Sequence, residues 1–127
     1  MTEQYLKDEY GYEKNIYIPN SVDVDYTNQN KSLSDMNATF EQLRKLKDDG
    51  KKLFMFTGAI VQSNSINMFV ETAKKLKIKD IQIVLVGKGQ ERAKYEQTAK
   101  DEILSNISFL DSVDKKLVPK LLDYADV

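Results

Sequence analysis

The sequence lacks cysteine and histidine altogether and has only two prolines and five glycines among its 127 residues. Without cysteine and histidine, the chain has no disulfide framework, no zinc site of the Cys/His kind and no thiol nucleophile. It also has no catalytic triad or dyad that depends on an imidazole base. Any chemistry must therefore use carboxylates, amines, hydroxyls and backbone dipoles.

A surplus of charge of one sign is also missing, because 19 basic residues stand against 20 acidic ones. The basic residues are scattered, and the longest clusters are pairs such as Lys74-Lys75 and Lys115-Lys116. Nucleic-acid-binding domains usually gather a basic surplus into a stripe or an arm. We therefore expect no nucleic-acid partner.

Long hydrophobic runs are absent too. No apolar run approaches the roughly 20 residues of a transmembrane helix, and the amino terminus has neither the basic flank nor the apolar stretch of a signal peptide. With 41% hydrophobic residues, the chain can still build a core. These features predict a cytoplasmic protein of roughly one domain.

From Leu53 onward, short apolar runs alternate with helical patterns. The runs cover residues 53–57, 81–86 and 107–110, and another begins at 125–127. Four to six apolar residues without polar alternation are typical of strands buried on both faces, and the gaps are long enough for crossover helices. The pattern predicts an α/β fold with a Rossmann-like parallel sheet and alternating helices.

Four helices are predicted around these strands. The first runs through Met36 to Leu46, with Ser32 or Ser34 as its cap and Gly50 after its end. The second follows the first strand, carries an apolar stripe from Ile66 to Leu76 and takes Ser63, Asn64 or Ser65 as its cap. The third, at about 90–100, has a weak stripe and is expected at the edge or surface. The fourth, at about 114–124, tolerates Pro119 only near its first turn.

Two glycine-containing turns follow the first two strands, at Gly58-Ala59 and at Gly87-Lys88-Gly89. Glycine lets phosphate groups approach backbone N–H groups, and parallel strands place both turns at the same edge of the sheet. Arg92 occupies the third glycine position of a dinucleotide fingerprint, and no Walker sequence occurs. A plain strand-to-helix turn explains the second motif equally well, but the pair of turns favours a phosphate-bearing ligand.

Acidic residues give a weaker signal. Asp23-Val24-Asp25 is a pattern that can bind a divalent cation, but it lies in a polar segment far along the chain from the glycine turns, and acidic pairs are common in turns. We therefore expect no metal site and no cofactor. Asp49, Asp101 and Asp111 are expected to be helix caps or solvated residues rather than catalytic carboxylates.

Five segments together resemble the group 1 glycosyltransferases (family 4) in order and spacing. They are the segments 18–23 (IPNSVD), 56–60 (FTGAI), 83–91 (IVLVGKGQE), 106–110 (NISFL) and 118–127 (VPKLLDYADV). Enzymes of this family have two domains in the GT-B fold, and many build bacterial lipopolysaccharide, capsular polysaccharide and other exopolysaccharides. The resemblance implies that the chain forms half of a GT-B C-terminal domain.

The resemblance also implies a domain division and a set of binding residues. Residues 1–31 would be the end of an acceptor-domain helix plus the interdomain hinge, and residues 32–127 a nucleotide-sugar-binding domain that is partial at its C-terminus. The residues implied to bind the nucleotide sugar are Gly58, Ala59, Asn64, Gly87, Lys88, Gly89, Asp111 and Val113. No catalytic residue is expected within the chain.

Two departures from the family pattern concern charge. The family commonly has an arginine and a lysine facing the diphosphate where this chain has Ala59 and Asn64, so the neutralising charge must come from Lys88 or from outside the chain. The usual glycine after the third strand is Asp111, whose negative charge would lie near an anionic ligand.

The implied activity is transfer of a sugar, with retention of configuration, from a nucleoside-diphosphate sugar to a lipopolysaccharide or other cell-surface polysaccharide. The sequence ends before the family's glutamate-containing donor segment and holds no acceptor domain, so we expect this chain alone to transfer no sugar. Membrane association, peripheral at the inner face of the plasma membrane, is expected only of a full-length parent.

Two other functions are weighed against this one. The first is a non-catalytic Rossmann-like interaction module, which would form a homodimer through the sheet edge exposed after Val127 or be covered by a partner. The second, a nicotinamide dehydrogenase, is disfavoured by the incomplete glycine fingerprint.

Overall fold

The computed structural model describes residues 3–11, 37–76, 78 and 80–127, and of residues 3–6 only the backbone. The helices and strands, in chain order, are α1 (Glu3–Tyr10), α2 (Ala38–Asp48), β1 (Lys52–Thr57), α3 (Asn67–Lys75), β2 (Ile81–Val86), α4 (Arg92–Asp101), β3 (Ile107–Leu110) and α5 (Val118–Leu122). Short 3-10 turns, Gln62–Asn64 and Lys115–Leu117, precede α3 and α5. Within this part of the chain no helix is long and apolar enough to cross a membrane.

The three strands form a parallel sheet in the order β1-β2-β3. The last residues return to the free side of β1, where Val127 N donates to Leu53 O at 3.3 Å and Met55 N donates to Val127 O at 2.8 Å. This is the hydrogen-bond pattern of a parallel pair. The predicted strands are therefore confirmed, including the strand start at 125–127, and so is the Rossmann-like fold class.

Apolar side chains fill both faces of the sheet, because β2 alternates its burial between them. On one face Ile83 and Leu85 pack with residues of α3 and α4. On the other, Val84 and Val86 pack with residues of α2 and α5. Tyr95 and Ala99 of α4 belong to the first cluster, so this helix covers the sheet despite its weak apolar stripe.

Two predicted helix caps are wrong. Helix α2 is capped by Asn37, whose side chain accepts from Phe40 N at 3.2 Å. Helix α3 is preceded by Ile66, which makes no side-chain cap, and the Asn64 side chain donates instead to Ala59 O at 2.7 Å. Ser32, Ser34, the hinge and the Asp23-Val24-Asp25 pattern lie outside the described residues.

Asp126 anchors the returning segment to β1. Its carboxylate accepts from Leu53 N at 2.7 Å and from the Lys47 ammonium of α2. The hydrogen bond from Lys47, followed by that from the Leu53 amide, lowers the pKa of Asp126 below its ordinary value of 3.8. The last residues are thus held by charge as well as by the backbone ladder.

This lowered pKa predicts a pH-dependent stability. A carboxyl group whose pKa is lower in the folded state stabilises the fold above its unfolded pKa and loses that contribution as pH falls through the folded value. We expect Asp126→Asn to lower the free energy of unfolding at pH 7, and its difference from the unmodified chain to shrink below pH ~4. Urea unfolding at several pH values measures this. Asp80→Asn, at an exposed position, is the matched control. An Asp126→Asn deficit that stays constant down to pH ~3 would contradict the assignment.

Candidate functional site

A cleft of about 300 Å³ opens at the carboxyl ends of the strands. Three loops line it, one after each strand, together with α5. The lining residues are Thr57, Gly58, Ala59, Val86, Gly87, Lys88, Ser112, Val113, Lys115, Val118 and Leu121. Because the chain turns from β3 back to the far side of β1, this edge lies at a reversal of strand order, where open α/β sheets bind their ligands.

The two glycine loops are hydrogen-bonded to each other beyond the ends of β1 and β2. Gly58 N donates to Val86 O at 3.1 Å, and Ile60 N donates to Lys88 O at 2.8 Å. A Cβ atom at Gly87 would lie 1.9 Å from Gly58 O, and one at Gly89 would lie 2.1 Å from Ile60 O. Glycine is therefore required at both positions by the contact between the loops, whether or not a ligand is bound.

Arg92, at the start of α4, ties the ends of β2 and β3 together. Its guanidinium donates to Gly87 O at 2.9 Å, to Leu110 O at 3.2 Å and to Phe109 O at 3.3 Å. It also pairs with the carboxylates of Glu96 at 2.7 Å and of Asp111 at 2.8 Å. A single side chain thus fixes the relative position of two loops of the cleft.

The positive charge of Arg92 offsets the negative charge of Asp111 beside the cleft. Partial burial acts to lower the pKa of Arg92, but its bonds with Glu96 and Asp111 outweigh this and raise that pKa further. The guanidinium therefore stays charged and offsets the charge of Asp111, whose side chain is 80% exposed. Asp111 is not among the lining residues of the cleft.

Five of the eight predicted binding residues line the cleft, namely Gly58, Ala59, Gly87, Lys88 and Val113. The other three lie around it and support it. Asn64 holds the Ala59 carbonyl, Gly89 packs against the loop after β1, and Asp111 pairs with Arg92. The structure therefore places the eight residues at one edge of the sheet, in two different kinds of position.

Three polar residues of the cleft were missed at the sequence level. Thr57, Ser112 and Lys115 line the cleft, so two hydroxyl-bearing residues and one lysine belong to its wall. Thr57 is the last residue of β1, and Ser112 and Lys115 follow within five residues of the end of β3. The rule that identified the glycine turns could therefore have identified them. Arg92 was noticed only because it stands at the third glycine position of the fingerprint, since its partners in and after β3 lie 17 to 19 residues away in sequence.

The described residues also contain two larger depressions, of about 570 and 480 Å³. They lie beside the edge strand β3 and at the amino ends of the strands, around Ile103 and Leu104. Ligands of open parallel sheets bind at the carboxyl ends, so the smaller cleft is the better candidate. No group of three or more acidic residues that could hold a metal ion occurs in ranges 3–11, 37–76 and 80–127.

The fold and the cleft define a Rossmann-like α/β unit with a cleft at the carboxyl edge of its sheet. A family model described as "Glycosyl transferases group 1" matches residues 37–127, and the chain belongs to this family. The resemblance drawn from the sequence is thereby confirmed, although its segment 18–23 precedes the matched residues.

Among solved structures, the chain is similar to the crystal structure of WaaG, a glycosyltransferase involved in lipopolysaccharide biosynthesis. The identity is 19%, the TM-score is 0.51, and the match covers 72% of this chain and 26% of WaaG. This likeness concerns the fold, and the chain spans about a quarter of the WaaG chain. No curated protein matches the sequence significantly.

Proposed function

We propose that the cleft binds the nucleoside-diphosphate part of a sugar donor, and that the chain is the donor-binding portion of a group 1 glycosyltransferase. One observation carries this proposal: in a chain of this family, two interlocked glycine loops and two lysines surround one cleft at the carboxyl edge of the sheet. Loop amides and ammonium groups are the donors that anionic phosphates require.

The reaction proposed for the full enzyme is transfer of the sugar with retention of configuration, without a metal ion. The leaving diphosphate would be stabilised by loop amides and lysines placed before the reaction begins. The acceptor proposed is a lipopolysaccharide or another cell-surface polysaccharide, with support from the family and from the likeness to WaaG, an enzyme of lipopolysaccharide biosynthesis. Such an enzyme would act on the cytoplasmic side of the membrane.

Calorimetric titration of the chain tests donor binding. We expect UDP or GDP to bind more tightly than the corresponding monophosphate and than NAD, because the cleft offers its positive charge to a diphosphate and the dinucleotide fingerprint is incomplete.

Two exposed serines provide a matched pair of variants for the same titration. Ser112→Asp places a negative charge in the cleft and should weaken diphosphate binding about tenfold. Ser63 lies outside the cleft, so Ser63→Asp should leave diphosphate binding unchanged. If no nucleoside diphosphate binds, or if both variants bind as the unmodified chain does, the cleft is not a donor site and an interaction module becomes the better explanation.

A further inference from the structure

The cleft brings together two lysines that form no ion pair with any residue that the structure describes. Lys88 and Lys115 both line it, and none of its described lining residues is acidic. Within the part of the chain that the structure describes, neither ammonium group pairs with a carboxylate. Lysines elsewhere in the fold, such as Lys47, Lys74 and Lys94, do have carboxylate partners.

Arg92 lies at the same edge of the sheet, but its positive charge is not available to a ligand. Its guanidinium is already engaged by two carboxylates and three backbone carbonyls. Its charge is thus committed to holding the loops, and turning it toward a ligand would leave those acceptors unpaired. The available cations of the described cleft are the two lysines.

The 3-10 turn that follows β3 places Lys115 and Lys116 differently with respect to the cleft. Asp114 caps this 3-10 turn by accepting from Lys116 N at 2.8 Å. Lys115 then lines the cleft, whereas the equally exposed Lys116 does not. Two adjacent residues of the same type therefore differ in whether they reach the site.

We propose that Lys115, together with Lys88, binds the diphosphate of the donor and supplies the charge that Ala59 and Asn64 cannot. The proposal rests on the function proposed above and assigns its phosphate-binding residues. Two ammonium groups from separate loops match the charge of a diphosphate better than that of a monophosphate. Because neither lysine is in an ion pair with a described residue, turning toward a phosphate breaks no ion pair in that part of the chain.

The test compares Lys115→Gln, Lys88→Gln and Lys116→Gln in calorimetric titrations with UDP, GDP and inorganic pyrophosphate. We expect each of the first two substitutions to weaken binding of the diphosphates about tenfold, and Lys116→Gln to leave it unchanged. Pyrophosphate should show the same dependence, since the contact proposed is with phosphoryl oxygens alone. Lys115→Arg should restore binding, because it keeps the charge.

The outcomes separate this inference from the function on which it rests. If the unmodified chain binds neither UDP nor GDP, the donor-binding proposal itself is wrong. If it binds them, but Lys115→Gln binds as tightly as Lys116→Gln, donor binding stands and the role of Lys115 is refuted. Thermal unfolding of each variant shows whether the substitution left the fold intact, as expected for exposed side chains.

Discussion

Replacement of Gly89 by alanine is expected to destabilise the protein by about 3 kcal/mol or more, a large share of the 5–15 kcal/mol typical of a domain. The added Cβ would lie 2.1 Å from Ile60 O, 2.5 Å from its carbonyl carbon and 2.7 Å from its nitrogen. All three are backbone atoms, so no side chain can turn aside to make room. Either the fold is strained or the two loops separate and lose the bond between Ile60 N and Lys88 O.

Gly50→Ala is the control for this experiment. Gly50 follows α2 with a φ of +75°, and a Cβ there meets nothing within 4 Å. Its substitution should cost only the ~1 kcal/mol of a left-handed conformation. Urea unfolding compares the two variants, and Gly89→Ala proving no more costly than Gly50→Ala would show that the loops are not in the contact described.

Replacement of Arg92 by methionine is expected to lower the free energy of unfolding by about 2–3 kcal/mol, because hydrogen bonds from a charged donor to three backbone carbonyls are lost together. The side chain is only 20% exposed, so water replaces those bonds incompletely. Methionine keeps the aliphatic stem and its packing, which confines the change to the guanidinium. The ends of β2 and β3 should become less tightly held.

Hydrogen exchange can locate this effect, since Gly87 N donates to Leu110 O at 3.1 Å, across the strands that Arg92 bridges. We expect exchange at Gly87 to accelerate in Arg92→Met more than exchange at amides of the β1–β2 ladder. Lys94→Met, on the same helix and 64% exposed, should change stability by no more than about 0.5 kcal/mol. Equal effects of the two substitutions would mean that Arg92 is an ordinary surface residue.

The strands, and the edge of the sheet where the candidate cleft lies, could be predicted from the sequence. The run 81–86 coincides with β2, and 107–110 with β3. A strand buried on both faces has to be apolar along most of its length, so its residue types reveal it. Glycine turns directly after such strands then mark the carboxyl edge, because all strands of a parallel sheet end there.

The residues that cap the helices could not be predicted in the same way, because several polar residues near the start of each helix can act as its cap. Asn37 caps α2, and Asn64 holds the loop after β1 instead of capping α3. The choice depends on the direction in which the chain enters each helix, which neighbouring loops decide. Thr39 illustrates this dependence, since its hydroxyl donates to Asp111 O at 3.0 Å, 72 residues away.

The sequence by itself determined the fold class, the parallel strands and the family, because all three depend on local patterns of apolar residues, glycines and turns. Only the tertiary structure decided the roles within the site. It showed that Gly87 and Gly89 are needed for contact between loops, that Arg92 neutralises Asp111, and that Lys115 reaches the cleft while Lys116 does not. These roles arise from contacts between residues distant in sequence, and such contacts exist only once the sheet has brought its carboxyl ends together.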